Sequence, residues 1–281
     1  MELSLVDTAR SLGVDRPIGA MAAPENTIMF IEWLPDLEWF EAYAALLLVR
    51  SKGLKERYGF KGSDHCLRID LVPGYLEDPR LRLYLVLRRM AVLAAESDQL
   101  FLYGRHTDGG VEWYRLPPPL VSVMVSPNPV NWVKAGTDTV REFVDSLYGA
   151  VLNPDKAGGI VRRLDVRLGA NAMRRARHVY HMIDVDDRSL FREVMDVVQE
   201  YLGYRPAYVT TPNGGHILVW VSGLDRDTAK KWFSEVPMRL GEMAESHGDP
   251  KVIEYKKVFQ EPAPGIRYRG DFVPRFHPEE R

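Results

Sequence analysis

Asp184 and Asp186, in the run Ile183-Asp184-Val185-Asp186-Asp187, are the side chains from which chemistry can first be argued. The preceding residues alternate and are rich in β-formers, which predicts a strand over 178–186. Side chains on a strand alternate between faces, so the two carboxylates point the same way with Cα atoms about 7 Å apart. Like charges on one sheet face repel, and a divalent cation offsets that economically. Hard ions such as Mg2+ take a few carboxylates, waters and substrate phosphates. The plain alternative is a strand end followed by a helix cap. Position favours chemistry, because the pair closes a strongly apolar strand directly before a helix.

Thr211-Pro212-Asn213-Gly214-Gly215-His216 is the second constellation. Paired glycines allow close backbone approach, and a histidine beside such a turn can donate to a phosphate oxygen. The third is Gly248-Asp249-Pro250-Lys251-Val252-Ile253-Glu254, in which Asp249 is the first candidate for a third acidic ligand and Glu254 the second. Lys256, Lys257 and Arg267 follow as positive charge suited to a triphosphate. Upstream, Arg162, Arg163, Arg167, Arg174, Arg175 and Arg177 stand against Asp165 alone, a local net of +5. Such a stretch can track a nucleic-acid backbone by releasing its counterions, or it can be a solvated surface. Tyr180, Trp220 and His178 share the carboxylate face and can stack on bases, although core packing fits Trp220 better. His178 and His181 fall on opposite faces, so they make a poor chelating pair; His181 reads as a hydrogen-bonded core residue.

These groups need a scaffold. Arg188–Leu202 reads as a helix capped by Asp187, Ala207–Thr211 and His216–Val221 as two strands, and Asp225–Ser246 as further helix. Strand, helix, hairpin, helix predicts an α+β fold with a mainly antiparallel sheet and helices on one face. Residues 1–110 look helix-rich, with Leu37–Val49 and Arg80–Glu96 both dense in apolar residues. Phe101–Tyr103 and Val111–Tyr114 resemble a hairpin, Leu120–Val125 a strand and Thr137–Leu152 an amphipathic helix. We therefore divide the chain at 110/111, the first part having no assigned role.

Composition sets bounds. The 281 residues carry 37 Lys+Arg against 39 Asp+Glu, a formal charge of −2, so only a local patch can attract nucleic acid. A single cysteine excludes a disulfide framework and a Cys-based zinc cluster. The N-terminus lacks a signal-peptide pattern and no apolar run reaches the roughly 20 residues of a membrane span, which leads us to expect a cytoplasmic protein without a membrane partner.

In this order, the three constellations resemble the catalytic core of the archaeo-eukaryotic primase superfamily, including its primase-polymerases. Asp184 and Asp186 match its D-x-D, His216 its histidine motif, and Asp249 its third acidic position. Lys257-Val258-Phe259 and Pro264-Gly265-Ile266-Arg267 resemble its basic and Pro-Gly segment, and Leu120–Pro129 the strand and Asn-Pro turn before the core. The resemblance spans about residues 111–281. It implies an RRM-like sheet forming a primase-type core and a nucleotidyltransferase acting as DNA primase or polymerase in replication. Two Mg2+ or Mn2+ ions about 3.5–4 Å apart would be held by Asp184, Asp186 and Asp249. Nucleoside triphosphates would be bound by His216, Lys256, Lys257 or Arg267. The partners would be single-stranded or primed template and replication subunits. Gly214 stands where relatives carry serine, so Thr211 or Asn213 would supply that contact. No zinc is expected. The competing reading is a catalytically silent, nucleic-acid-binding subunit. A rolling-circle nuclease would need a second histidine in His216-Ile217-Leu218.

Overall fold

The computed structural model describes residues 4–62, 64–106, 109–153, 164–257 and 259–280. Two helices, α1 (Leu5–Ser11) and α2 (Pro24–Trp33), precede strand β1 (Glu41–Val49). Next come α3 (Ser51–Tyr58), β2 (Phe60–Lys61), β3 (His65–Pro73), α4 (Pro79–Ala95), β4 (Phe101–His106) and β5 (Val111–Arg115). β6 (Val121–Asn131), α5 (Trp132–Leu152) and α6 (Leu164–Arg174) lead into β7 (Tyr180–Val185), α7 (Arg188–Leu202), β8 (Ala207–Thr210) and β9 (Gly215–Trp220). The chain closes with α8 (Arg226–Ser234), α9 (Val236–Ser246), β10 (Ile253–Lys256), β11 (Glu261–Pro262) and β12 (Phe276–His277).

These strands form antiparallel sheets ordered β11-β6-β1-β3, β10-β7-β9-β8-β12 and β2-β4-β5. In the five-stranded sheet, β7, α7, β8, β9, the helix pair α8–α9 and β10 follow the split β-α-β pattern, with the first and third strands central. Ile183, Val185, Ile217 and Val219 bury one face against α7–α9. Tyr180, Met182, Leu218 and Val209 turn the other way and join the core that holds Val123, Val125 and Phe30. The side chains of Asp184 and His216 belong to that second face, so they point toward the four-stranded sheet, not into bulk solvent.

The elements expected in the second part are present. Asp187 caps α7, its carboxylate accepting from the Ser189 N–H at 2.7 Å, and the long helix expected over 225–246 breaks in two before Pro237. The first part departs from expectation in β1 itself and in α3, β2 and β3, which lie between the two segments expected as helices. Residues 41–49 form a strand, not a helix, and every one of them is buried. A strand covered on both faces has no period-two alternation, and EAYAALLLV is rich in the good helix formers Ala, Leu and Glu, so its pattern misleads. The 110/111 division also falls inside the β4–β5 hairpin, and β6 and β11 complete the sheet begun by β1 and β3. Tyr180 belongs to the core, stacked on Trp33 with ring centroids 4.2 Å apart. Among the described residues, no helix is long and apolar enough to cross a membrane.

On the helical face, His181 is buried and its Nδ1 meets the Tyr255 hydroxyl, which also accepts from Trp232 Nε1 at 2.9 Å. Burial, with the nearby His178 and Lys257, pulls the His181 pKa down to about 4. Burial also pushes Tyr255 up to about 12, against the Trp232 hydrogen bond. A histidine kept neutral by folding contributes stability above its unfolded value, near 6.5, and loses it as pH falls toward 4. Urea denaturation should therefore show up to about 3 kcal/mol less stability at pH 4 than at pH 7 from this residue. His181→Gln should flatten that part of the profile; an unchanged profile would remove His181 as its source.

Candidate active site

A cleft of about 450 Å3 lies between the two larger sheets, and Asp184, Asp186, His216, Glu254 and Lys256 all line it. Strand register explains their meeting. Asp184 on β7 pairs with His216 on β9 and with Glu254 on β10, and cross-strand partners share a face. Lys256 follows two residues after Glu254 and so returns to the cleft side. Asp186 lies just beyond the end of β7, where its N–H donates to Val252 O at 2.9 Å.

The charges are closely interlocked. Lys256 Nζ stands 2.6 Å from Asp184 Oδ2 and 2.7 Å from Glu254 Oε2. His216 is held between two carboxylates, with Nδ1 2.7 Å from Glu261 Oε1 and Nε2 3.2 Å from Asp184 Oδ1. The second contact is poorly aligned, which leaves Asp184 Oδ1 buried without a hydrogen-bond donor. Burial would lower the His216 pKa, but Glu261 and Asp184 outweigh it and push the imidazole up to about 10. Burial likewise opposes ionisation of Asp184, yet His216 and Lys256 hold its pKa well below the usual carboxylate range. Lys256 is raised, the two carboxylates prevailing over burial. Burial pushes Glu261 up against the pull of His216.

Glu261 comes from β11, the edge strand of the other sheet, and is fully buried. Sequence reasoning passed over it. Its signal was a lone acid in the largely apolar run Phe259-Gln260-Glu261-Pro262-Ala263, since a glutamate is almost never fully buried without a partner. Arg50, Lys251 and Arg269 also line the cleft. Arg269 is the one non-glycine among the described residues with positive φ, at 51°.

The glycine pair has a steric reason. A Cβ on Gly214 would come within 2.0 Å of Val185 O, and one on Gly215 within 2.5 Å of the Phe191 ring. The β8–β9 turn crosses closely over the end of β7 and the start of α7, which excludes serine at 214. Thr211 lines the cleft, and its Oγ1 accepts from the Gly214 N–H at 3.2 Å.

Other expected residues lie elsewhere. Asp249 is exposed in the turn before β10, its carboxylate accepting from the Lys251 N–H at 2.9 Å, and it does not join the cleft residues; Glu254 does. Asn213, Lys257 and Arg267 are exposed and outside the cleft lining. Arg162 and Arg163 lie outside the described residues. Arg167 donates to Glu142 O at 2.9 Å and Ser146 Oγ at 2.6 Å. Arg174 pairs with Glu142 at 2.8 Å, Arg175 with Asp138 at 2.7 Å and Arg177 with Glu41 at 2.9 Å. Those four arginines fasten α6 and its following turn to α5 and β1.

Among the described residues, no group of three or more His, Cys, Asp or Glu side chains is already arranged to hold a metal ion. The donor chemistry nonetheless suits a hard cation. Asp184, Asp186 and Glu254 offer carboxylate oxygens to one cleft, Asp184 Oδ1 lacks an aligned donor, and the Lys256 ammonium supplies positive charge between two of them. No family model matches the chain, and comparison with curated proteins and with solved structures finds no match either.

Proposed function

We propose that this cleft carries out template-directed nucleotidyl transfer, as a primase or polymerase built on an RRM-like, primase-type sheet. One observation carries the reading. Two carboxylates from adjacent strands, Asp184 and Glu254, meet in one cleft with Asp186, a charged histidine and the cations Arg50, Lys251 and Arg269. Asp184, Glu254 and Asp186 would hold Mg2+ or Mn2+. Divalent ions, when bound, supply activation of the attacking 3′-hydroxyl and neutralisation of the leaving pyrophosphate. His216, held positive by Glu261, adds a fixed positive charge beside the phosphates, its ring nitrogens facing Glu261 and Asp184. Arg50 and Arg269 neutralise further phosphate charge from the opposite wall. Lys256 leaves the carboxylates and turns toward the triphosphate. The test is incorporation of labelled nucleotides on a single-stranded template with Mn2+ or Mg2+, with and without primer. Absence of incorporation under every combination would sink the reading.

The ammonium between Asp184 and Glu254 also favours a second reading, a silent subunit whose cation site is occupied by its own lysine. Mn2+ binding, followed by electron paramagnetic resonance of the free ion, separates the two. If Lys256 merely competes, Lys256→Ala should bind Mn2+ at least about tenfold more tightly, because one neighbouring like charge is worth more than 1.4 kcal/mol near a protein surface. Adding a nucleoside triphosphate should restore Mn2+ binding in the unmodified protein. No Mn2+ binding by either protein, with or without triphosphate, leaves the silent subunit.

A further inference from the structure

The small sheet β2-β4-β5 has two unlike faces. Its register pairs Phe101 with Arg115, Tyr103 with Trp113, Arg105 with Val111 and Lys61 with Arg105. Strand alternation therefore assigns positions 61, 101, 111, 113 and 115 to one face. The opposite face is core: Leu102 and Tyr114 are buried and the Phe60 ring meets Tyr114 edge-on at 5.5 Å. The first face looks outward. Trp113 is 67% exposed and Phe101 57%, and Lys61 and Arg115 are exposed beside them. None of these five positions is acidic. Among the described residues, Asp98 brings a carboxylate to within 3.2 Å of Arg115.

We propose that this face binds single-stranded nucleic acid. Flat aromatic side chains on an open antiparallel sheet, interleaved with cations, match unpaired bases, whose π-faces stack while their phosphates meet the cations. Double-stranded nucleic acid already stacks its bases internally and has no such face to offer. The platform is closely packed on its inner side: Phe60 lies against Gly104, where a Cβ would come within 2.4 Å of its ring. It is also joined to the cleft. Arg50 lines the cleft, and α3 runs from the next residue to β2. A strand threading from cleft to platform would follow one short stretch of chain, which gives the first part of the protein a function. The inference does not rest on the chemistry of the cleft.

The test titrates the full chain against a fluorescein-labelled single strand of about 16 nucleotides, as DNA and as RNA, with a matched duplex, reading anisotropy. Phe101→Ala and Trp113→Ala should each weaken single-strand binding about 5- to 100-fold, since stacking one base is worth about 1–3 kcal/mol. Lys61→Ala should weaken it and reduce the salt dependence by about one phosphate contact. Both aromatics are exposed, so their urea midpoints should hold. Unchanged affinity in the double aromatic variant, or equal affinity for the duplex, overturns the proposal. Loss of self-association in that variant, without loss of oligonucleotide binding, would make the face a contact between copies of this chain and overturn it too. Asp184→Asn should abolish incorporation and leave this binding intact, so failure here and failure of the catalytic reading stay distinct.

Discussion

Glu254→Gln should lower metal-dependent nucleotide incorporation by at least about 100-fold, the scale seen when one charge-stabilising group is removed from a reaction centre. Asp249→Asn should leave it within about twofold, as expected for an exposed substitution. The contrast follows from register. Glu254 is the cross-strand partner of Asp184, whereas Asp249 sits in an exposed turn with its carboxylate on a backbone N–H. Asp184→Asn should match Glu254→Gln. All three are near-isosteric, so circular dichroism and urea midpoints will separate chemistry from unfolding. Full activity in Glu254→Gln with loss in Asp249→Asn would invert the assignment and with it the geometry of the cleft.

His216→Ala should cost the folded protein about 3–5 kcal/mol, because it removes the counter-charge of a fully buried glutamate. Glu261→Gln should cost less, since the imidazole keeps Asp184 beside it. The contact also gives stability a pH dependence of known sign. The His216 pKa is raised from near 6.5 to about 10, so its contribution is complete below about 6.5 and disappears as pH climbs toward 10. Urea denaturation at pH 7 and 9.5 should show a drop in the unmodified protein that is much smaller in His216→Ala. A variant as stable as its parent at both pH values would show that the buried charges are not coupled.

How much of this was legible in the sequence depends on what each element packs against. β7, α7, β8 and β9 could be read because each carries a local signal: alternation, a capping aspartate, paired glycines. Asp184 and His216 followed from the same patterns. β1 could not be read, since burial on both faces erases alternation. Glu261 escaped because its partner is 45 residues away in the chain and sits in another sheet. The choice between Asp249 and Glu254 turned on where the turn ends and β10 begins, a boundary that single-sequence patterns fix only to within a few residues. The arginines of α6 and the turn after it show the converse: a run of one sign along the chain is compensated in space by Asp138, Glu142 and Glu41.

The passage from β10 to β11 takes only four residues, 257–260, yet it carries the chain from one wall of the cleft to the other. At about 3.3–3.6 Å per residue such a tether is short, and the His216–Glu261 contact bolts its far end. A connection this short would limit how far the two walls of the cleft can part. If the cleft takes a nucleotide as proposed, selection there would be by size and shape at entry. Lengthening the tether with inserted glycines would trade that discrimination for tolerance.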